Sequence, residues 1–196
     1  VLEYLFLSSM TFGEGLDRAL RYQALLSGAS MGSLSLDGET ARLTIDSAFP
    51  AANATPHLYE CLSQGIIGFF RSVTDGSFTP RRIDFAAPAP ESSAEAEQYL
   101  QCDLAYDSPH NCIRFDVAVL DRPSPHAEPR LVELHGRVAE DRLKELDATD
   151  FVIAARRAIA RELERGTPSL AQVAERLHVP QRELRSRLAA ADTSFN

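Results

Sequence analysis

Gln181, Arg182, Arg185 and Ser186 place an amide, two guanidiniums and a hydroxyl along one short stretch. Amides and guanidiniums offer paired hydrogen-bonding groups in a plane. That suits the edges of nucleic-acid bases, and a guanidinium can also grip a phosphate through two bonds at once. Such groups act together only if something holds them outward. Leu184 and Leu188, four apart, do this by turning one side of a helix inward. Ahead of them, His178-Val179-Pro180 is too short for anything but a corner, and Pro180 tolerates only the first turn of a helix. Before the corner, Ser169 followed three residues later by Gln172 predicts a capping box and a helix starting at Leu170. Its inward positions are Leu170, Val173, Ala174 and Leu177, with the small Ala174 where a second helix crosses closely. Two short helices at a steep angle form the unit that lays its second helix, here about 181–190, in a DNA major groove. Arg176 and Arg187 would then steer onto the phosphate backbone. The same leucines would also serve a three-helix packing unit with no nucleic-acid role.

The stretch Val173-Ala174-Glu175-Arg176-Leu177, the three-residue turn, and Arg182-Glu183-Leu184 together resemble the first helix-turn-helix of AraC-type (AraC/XylS) transcription regulators. Ala191 to Phe195 stands where that family ends in Gly-x-Ser-Phe. There are departures: His178 takes the place of the usual turn glycine, Pro180 of the capping serine, Ser186 of a customary arginine, and Asp192 of the late glycine. The resemblance implies a DNA-binding region with two such motifs, of which this chain carries the first.

Charge divides along the chain. The 196 residues carry 20 basic and 28 acidic side chains, a net charge of −8. Residues 151–196 hold eight arginines against five acids, a balance of +3, which leaves −11 for the first 150. A basic tail on an acidic body is the asymmetry expected when only the tail meets phosphate. The three cysteines, Cys61, Cys102 and Cys112, lack CxxC spacing, so neither a disulfide framework nor a zinc site is expected, and a reducing cytoplasm fits. No apolar run approaches the roughly 20 residues of a membrane span. The start, VLEYLFLSSM, lacks the basic flank of a signal peptide and an initiating methionine, and reads as a chain beginning inside a domain.

Taken in order, Val1 to Leu7 reads as a strand or the end of a buried segment. Thr11 to Glu14 repeats the capping-box logic and opens a helix burying Leu16, Ala19 and Leu20, ending near Gly28. Gly32 to Leu36 and Ala41 to Ile45 alternate around Asp37-Gly38, a hairpin signal. Phe49 to Thr55 is loop-like. Pro56 to Val73 is the most apolar helix, with Leu58, Cys61, Leu62, Gly65, Ile66, Phe69 and Phe70 on more than one face, which predicts a central place; Asp75-Gly76 closes it. Arg82 to Phe85 is a strand, Ala94 to Leu100 a helix, and Cys102 to Tyr106 and Asn111 to Leu120 two strands around a turn. After the proline-rich Asp121 to Glu128, a helix over Pro129 to Leu146 is expected to touch two surfaces and to transmit a signal or form a dimer contact. A turn at Asp147 to Asp150, capped by Thr149 or Asp150, then separates it from a helix over Phe151 to Arg165. The fold class is α+β: an N-terminal mixed body of helices and antiparallel hairpins, then an all-α helix-turn-helix unit.

Leu16 to Tyr22 behind its serine and threonine lead-in, Arg-Ile-Asp-Phe at Arg82 to Phe85, the helix ending Tyr99-Leu100 and the strands before Leu120 make the body similar to the effector-sensing N-terminal domain of one AraC-type subgroup, which includes ornithine and virulence regulators. The resemblance implies an effector-sensing and dimerisation domain over 1–127, a linker helix over 128–147 and a first helix-turn-helix over 148–196. It also implies a cytoplasmic bacterial homodimer whose partners are operator DNA and a small-molecule effector. A pocket for that effector needs apolar lining with a few polar anchors. The candidates are Tyr22, Tyr59, Phe69, Phe70, Phe85 and Phe115, with Arg21 or Arg114 as anchors for an acidic ligand, although the same aromatics could simply fill the core. The acidic body favours a cationic or neutral effector. Neither a catalytic residue, a metal site nor a cofactor is expected. His57, His110, His126, His135 and His178 share no metal-binding spacing, and Asp17, Glu60 and Asp84 read as solvated. The alternative from another class is a small-molecule-binding or protein-interaction module with a helical tail that does not bind DNA.

Overall fold

The computed structural model describes residues 1–26, 30–47, 50–55, 57–91, 93–163 and 166–195. The expected element ends at Gly28, Phe49, Pro56 and Arg165 fall outside these. The described residues group into two compact units, Val1–Ala139 and Glu140–Asn196. The fold is α+β, as the patterning predicts.

The body opens with a helix, α1 (Leu2–Leu7), where a strand or the end of a buried segment was expected. Leu2, Leu5 and Phe6 are buried at helical spacing, and Ser8 and Ser9 turn their hydroxyls back to the carbonyls of Tyr4 and Leu5 at 2.5 and 2.7 Å, finishing it. Helix α2 (Phe12–Arg21) is capped by Thr11, whose Oγ1 accepts from the Glu14 N–H at 3.2 Å. The return half of the expected box is absent, because Glu14 accepts instead from the Met10 N–H and from Arg18. A short 3-10 turn, Gln23–Leu25, follows.

Strands β1 (Ser30–Asp37) and β2 (Thr40–Ser47) form the expected hairpin, with Gly38 at φ 58° in the turn. After α3 (Pro50–Asn53) and α4 (Leu58–Val73) come β3 (Pro80–Asp84), α5 (Ala94–Leu100), β4 (Asp103–Ala105) and β5 (Cys112–Asp116). The described strands form one mixed sheet in the order β1-β2-β5-β3-β4, antiparallel except for the β3–β4 pair. The two strands expected to pair across Ser108 to Asn111 therefore do not. Strand β5, with Ile113 and Phe115 both fully buried, takes the central place between β2 and β3, and the short β4 goes to the edge beside β3. Residues 117–121, expected to prolong the strand, coil into a 3-10 turn started by Asp116, whose carboxylate accepts from the Ala118 N–H at 2.9 Å.

Phe6, Phe12, Phe70, Phe78 and Phe115 fill the space between the helices and the sheet, their ring centroids 4.9–6.1 Å apart in stacked, tilted and edge-to-face pairs. Helix α4 buries Tyr59, Ser63, Ile67, Phe70 and Val73 in this core, and the half-buried Ile66 and Phe69 pack against it. Its Leu58, Cys61 and Leu62 are exposed.

The largest departure from expectation is α6 (Pro129–Leu163), a single helix of 35 residues through the segment where a turn was expected. It also runs through the division at Ala139. Thr149, read as a cap, instead donates its hydroxyl to the Glu145 carbonyl at 2.9 Å within the helix. Ion pairs one turn apart, Arg137 to Glu133, Arg142 to Glu145 and Lys144 to Asp141, lace the solvent side. Leu131, Leu134 and Val138, apolar positions of the helix expected to touch two surfaces, are exposed. Helices α7 (Leu170–Arg176) and α8 (Gln181–Ala190) complete the second unit.

Candidate functional site

In the second unit, Phe151, Ala155 and Ala158 of α6 pack with Val173 and Ala174 of α7 and Leu184 and Leu188 of α8. Both halves of the Ser169 capping box are made: the Gln172 N–H donates to Ser169 Oγ at 3.3 Å, and Gln172 Oε1 accepts from the Ser169 N–H at 2.9 Å. The corner depends on His178, which adopts φ 55°, a left-handed conformation that favours glycine, and the Val179 N–H then donates to the Ala174 carbonyl at 3.0 Å. Asp192, beyond α8, is also left-handed at φ 52°. Pro180 is the N-cap of α8 and offers no side-chain acceptor to its first turn.

Leu184 and Leu188 are 0% and 4% exposed, so α8 is fixed by one side, while Gln181, Arg182, Arg185 and Ser186 all lie exposed on the other. Among the described residues neither Arg182 nor Arg185 has an ion-pair partner. The two remaining arginines of the expected set are otherwise engaged. The Arg187 guanidinium lies 3.9 Å from the centre of the Phe151 ring and 3.8 Å from Glu183. Arg176 donates from Nε to Glu162 Oε1 at 2.8 Å, with a second bond from the same guanidinium, and Glu162 is buried. Arg176 thus links α6 and α7, with its side chain still 29% exposed.

Among the described residues of the body, two cavities stand out. The larger, about 490 Å³, is an apolar cleft whose walls include Phe6, Leu20, Leu43, Ile66, Phe69 and Phe70. At its edge Gln23 clamps Gly32, accepting from its N–H at 2.5 Å and donating to its carbonyl at 3.1 Å. A side chain at position 32 would meet Leu20 Cδ2 at 2.8 Å and Gln23 Oε1 at 3.0 Å, so the ends of those two side chains would have to shift to admit it. The smaller cavity, about 310 Å³, is bounded by Tyr59, Phe85 and Tyr106, by Glu60 and His57, and by the segment from Ala87 to Glu91. Glu60 Oε1 accepts from the Tyr106 hydroxyl at 2.9 Å, and Oε2 lies 2.7 Å from His57 Nδ1. Burial, followed by the hydrogen bond to Glu60 and its charge, pushes the Tyr106 phenol well above the usual range, so it stays a neutral donor. Tyr59, pushed up by burial and then by the Asp46 charge, donates to Asn53 Oδ1 at 2.8 Å.

The expected ligand-binding residues therefore scatter. Phe69 and Phe70 line the larger cavity and Tyr59 and Phe85 the smaller, but Tyr22, Phe115, Arg21 and Arg114 line neither. Phe115 is wholly buried in the core and Tyr22 is buried beneath the Arg21 guanidinium, 5.4 Å away. Arg114 lies on a strand face, where its Nε donates to Asp84 Oδ2 at 2.5 Å. Asp84, expected to be solvated, is 3% exposed and also accepts from Arg82. Sequence reasoning placed Glu60 on a solvated face and passed over Tyr106 and Glu91. Glu60 and Tyr106 lie 46 residues apart, so no local spacing could have joined them. No helix of the described residues is long and apolar enough to cross a membrane.

The chain carries a mixed α+β body and a helix-turn-helix unit. Residues 1–124 match the arabinose-binding domain found at the N-terminus of AraC transcription regulators, and the chain belongs to the AraC-type transcription regulators. It is 25% identical to the ornithine utilization regulator of Pseudomonas aeruginosa over 195 residues, which cover 100% of this chain and 58% of that protein. Its fold is similar to that of the transcriptional regulator CdpR from Pseudomonas aeruginosa, with a TM-score of 0.61 at 18% identity, over 99% of this chain and 64% of that one. The chain thus spans about three fifths of the length of these relatives.

Proposed function

We propose that the protein is a ligand-responsive, DNA-binding transcription regulator acting as a cytoplasmic homodimer. Helix α8 enters the major groove, with Gln181, Arg182, Arg185 and Ser186 at base edges and phosphates. The body binds a small-molecule effector, which changes DNA affinity by binding one arrangement of the protein more tightly than another. The observation that carries this reading is the pair Arg182 and Arg185, exposed and without ion-pair partners among the described residues, on a helix held by the buried Leu184 and Leu188.

The test is a titration of full-length protein against DNA from upstream of its own gene. Arg182→Ala and Arg185→Ala are each expected to weaken binding without changing the melting temperature. Where the lost contact is to a phosphate, the slope of log affinity against log salt falls by about one. Wild-type affinity and slope in both variants would overturn the assignment.

A further inference from the structure

A carboxylate has about four acceptor sites on its two oxygens. In Glu60 the Tyr106 hydroxyl and the His57 imidazole occupy one on each oxygen, so acceptor capacity remains toward the cavity. Of the two partners, Tyr106 is the fixed one, part-buried with its ring 5.3 Å from that of Phe85 and tilted by 32°. His57 is the movable one, its side chain 73% exposed. The cavity wall adds the Tyr59 ring and a second carboxylate, Glu91, and Pro88 and Pro90 stiffen the segment opposite. Neither lysine nor arginine lies among the described residues lining the cavity. Acid and aromatic faces without a fixed positive charge attract a cation and reject an anion. The acidic body adds an attractive long-range field, because the first 150 residues carry a net −11. The volume, about 310 Å³, is at the small end of small-molecule sites.

We infer that the cavity over Glu60 binds a small organic cation, a protonated amine on a short apolar frame. Its ammonium donates to Glu60, taking over the position of the His57 ring at Oε2, while Tyr106 keeps the carboxylate oriented from the other side. The apolar frame lies against the rings of Tyr59, Phe85 and Tyr106. The inference rests on the effector half of the proposed function and names the ligand class and the cavity that half requires.

The test is calorimetric titration of the protein with n-butylammonium and 1,4-diaminobutane, set against 1-butanol and butyrate as neutral and anionic counterparts of similar size. Either amine is expected to bind while the alcohol and the carboxylate do not. Glu60→Gln, which keeps the shape and the acceptor for Tyr106, is expected to weaken the amine about 10- to 100-fold, the range of one charge-assisted hydrogen bond. Glu91→Gln is expected to weaken it less, and Asp141→Asn, an acid outside the cavity, not at all. Absence of heat from both amines, butyrate binding as tightly as the amines, or equal losses in Glu60→Gln and Asp141→Asn would overturn the inference. If Glu60→Gln lowers the melting temperature, the comparison of Glu91→Gln with Asp141→Asn decides. DNA affinity measured with and without the amine keeps the two readings apart. Amine binding that leaves DNA affinity unchanged supports the cavity and removes its regulatory meaning. A neutral compound that shifts DNA affinity while no amine binds overturns the cavity and leaves an effector-responsive regulator.

Discussion

Replacing Arg176 by methionine is the sharpest test of how the helix-turn-helix unit is built, because the same residue reads as a phosphate contact from its position and as a strut from its contacts. In the structure it is bonded to Glu162, whose side chain is 9% exposed, while its own is 29% exposed. Removing one partner of a fully buried ion pair costs about 3–5 kcal/mol, mostly because the remaining charge loses its compensation. Water reaches the arginine side of this pair, so about 2–3 kcal/mol is the expected loss for Arg176→Met. For a chain of this size that lowers the melting temperature by roughly 5–10 °C. Glu162→Gln, which leaves an acceptor but no charge, is expected to cost less. Combining Arg176→Met with Glu162→Leu should recover part of the loss, because a packed apolar pair replaces a buried charge that has lost its Arg176 bonds. A thermal melt of the wild type, these three variants and Arg182→Ala, followed by a DNA titration at a temperature where all are folded, separates the two roles. Arg176→Met should lose stability and keep its DNA affinity; Arg182→Ala should do the reverse. If Arg176→Met melts like the wild type and loses as much DNA affinity as Arg182→Ala, the strut assignment is wrong.

Other expectations concern the corner, the core and the thiols. His178→Gly should raise stability by about 0.5–1 kcal/mol, since the left-handed φ of 55° costs an ordinary side chain more than the extra freedom of unfolded glycine costs; a lower melting temperature would show that the imidazole does something there that its backbone does not reveal. Ser63→Ala should also stabilise, by about 1 kcal/mol, because the buried Ser63 hydroxyl has no hydrogen-bond partner among the described residues; denaturant unfolding would show this as a higher midpoint at constant slope. Burial pushes the Cys102 thiol up to about 11 and raises that of Cys112, so at pH 8 about one Cys102 in a thousand is thiolate, the reactive form. Iodoacetamide at pH 8 should therefore modify the exposed Cys61 first, with Cys102 joining only as the pH rises toward 11. Equal labelling of the three in the native protein would contradict the burial of the other two.

The parts of the molecule legible in the sequence are those whose cause is local. Ser169 and Gln172 make their two bonds across three residues, Leu184 and Leu188 fix the face of α8 by spacing alone, and Asp37-Gly38 needs only its own φ values to fold a hairpin. The departures from the family pattern were visible at this level, though not the backbone conformation they adopt. His178 and Asp192 stand where AraC-type sequences resemble one another in carrying glycine, and both adopt the left-handed conformation that glycine would have adopted freely. What could not be read was whatever needed the rest of the fold. Arg176 meets Glu162 fourteen residues away, Tyr106 meets Glu60 across forty-six, and Arg114 meets Asp84 across thirty. Each pair changed the meaning of a residue that alone looked free.

The helix that was read as two shows why a capping signal is weaker evidence for a boundary than it looks. Thr149 and Asp150 have the side chains that end or begin helices, and they follow a run whose apolar spacing could have stopped at Leu146. A cap, however, only satisfies donors that the backbone has already exposed by leaving the helix. Nothing between Gly136 and Gly166 gives it a reason to leave, since the intervening residues include neither glycine nor proline. With the backbone bonds intact, the Thr149 hydroxyl has no exposed N–H to accept from, and it donates to the Glu145 carbonyl instead. At Ser169 the same kind of residue does cap. There Gly166, at φ 139°, and Pro168 have already broken the chain's helical path, and four N–H groups at the start of α7 stand without carbonyls. The hydroxyl is common to both sites. What differs is whether the preceding residues permit the helix to continue.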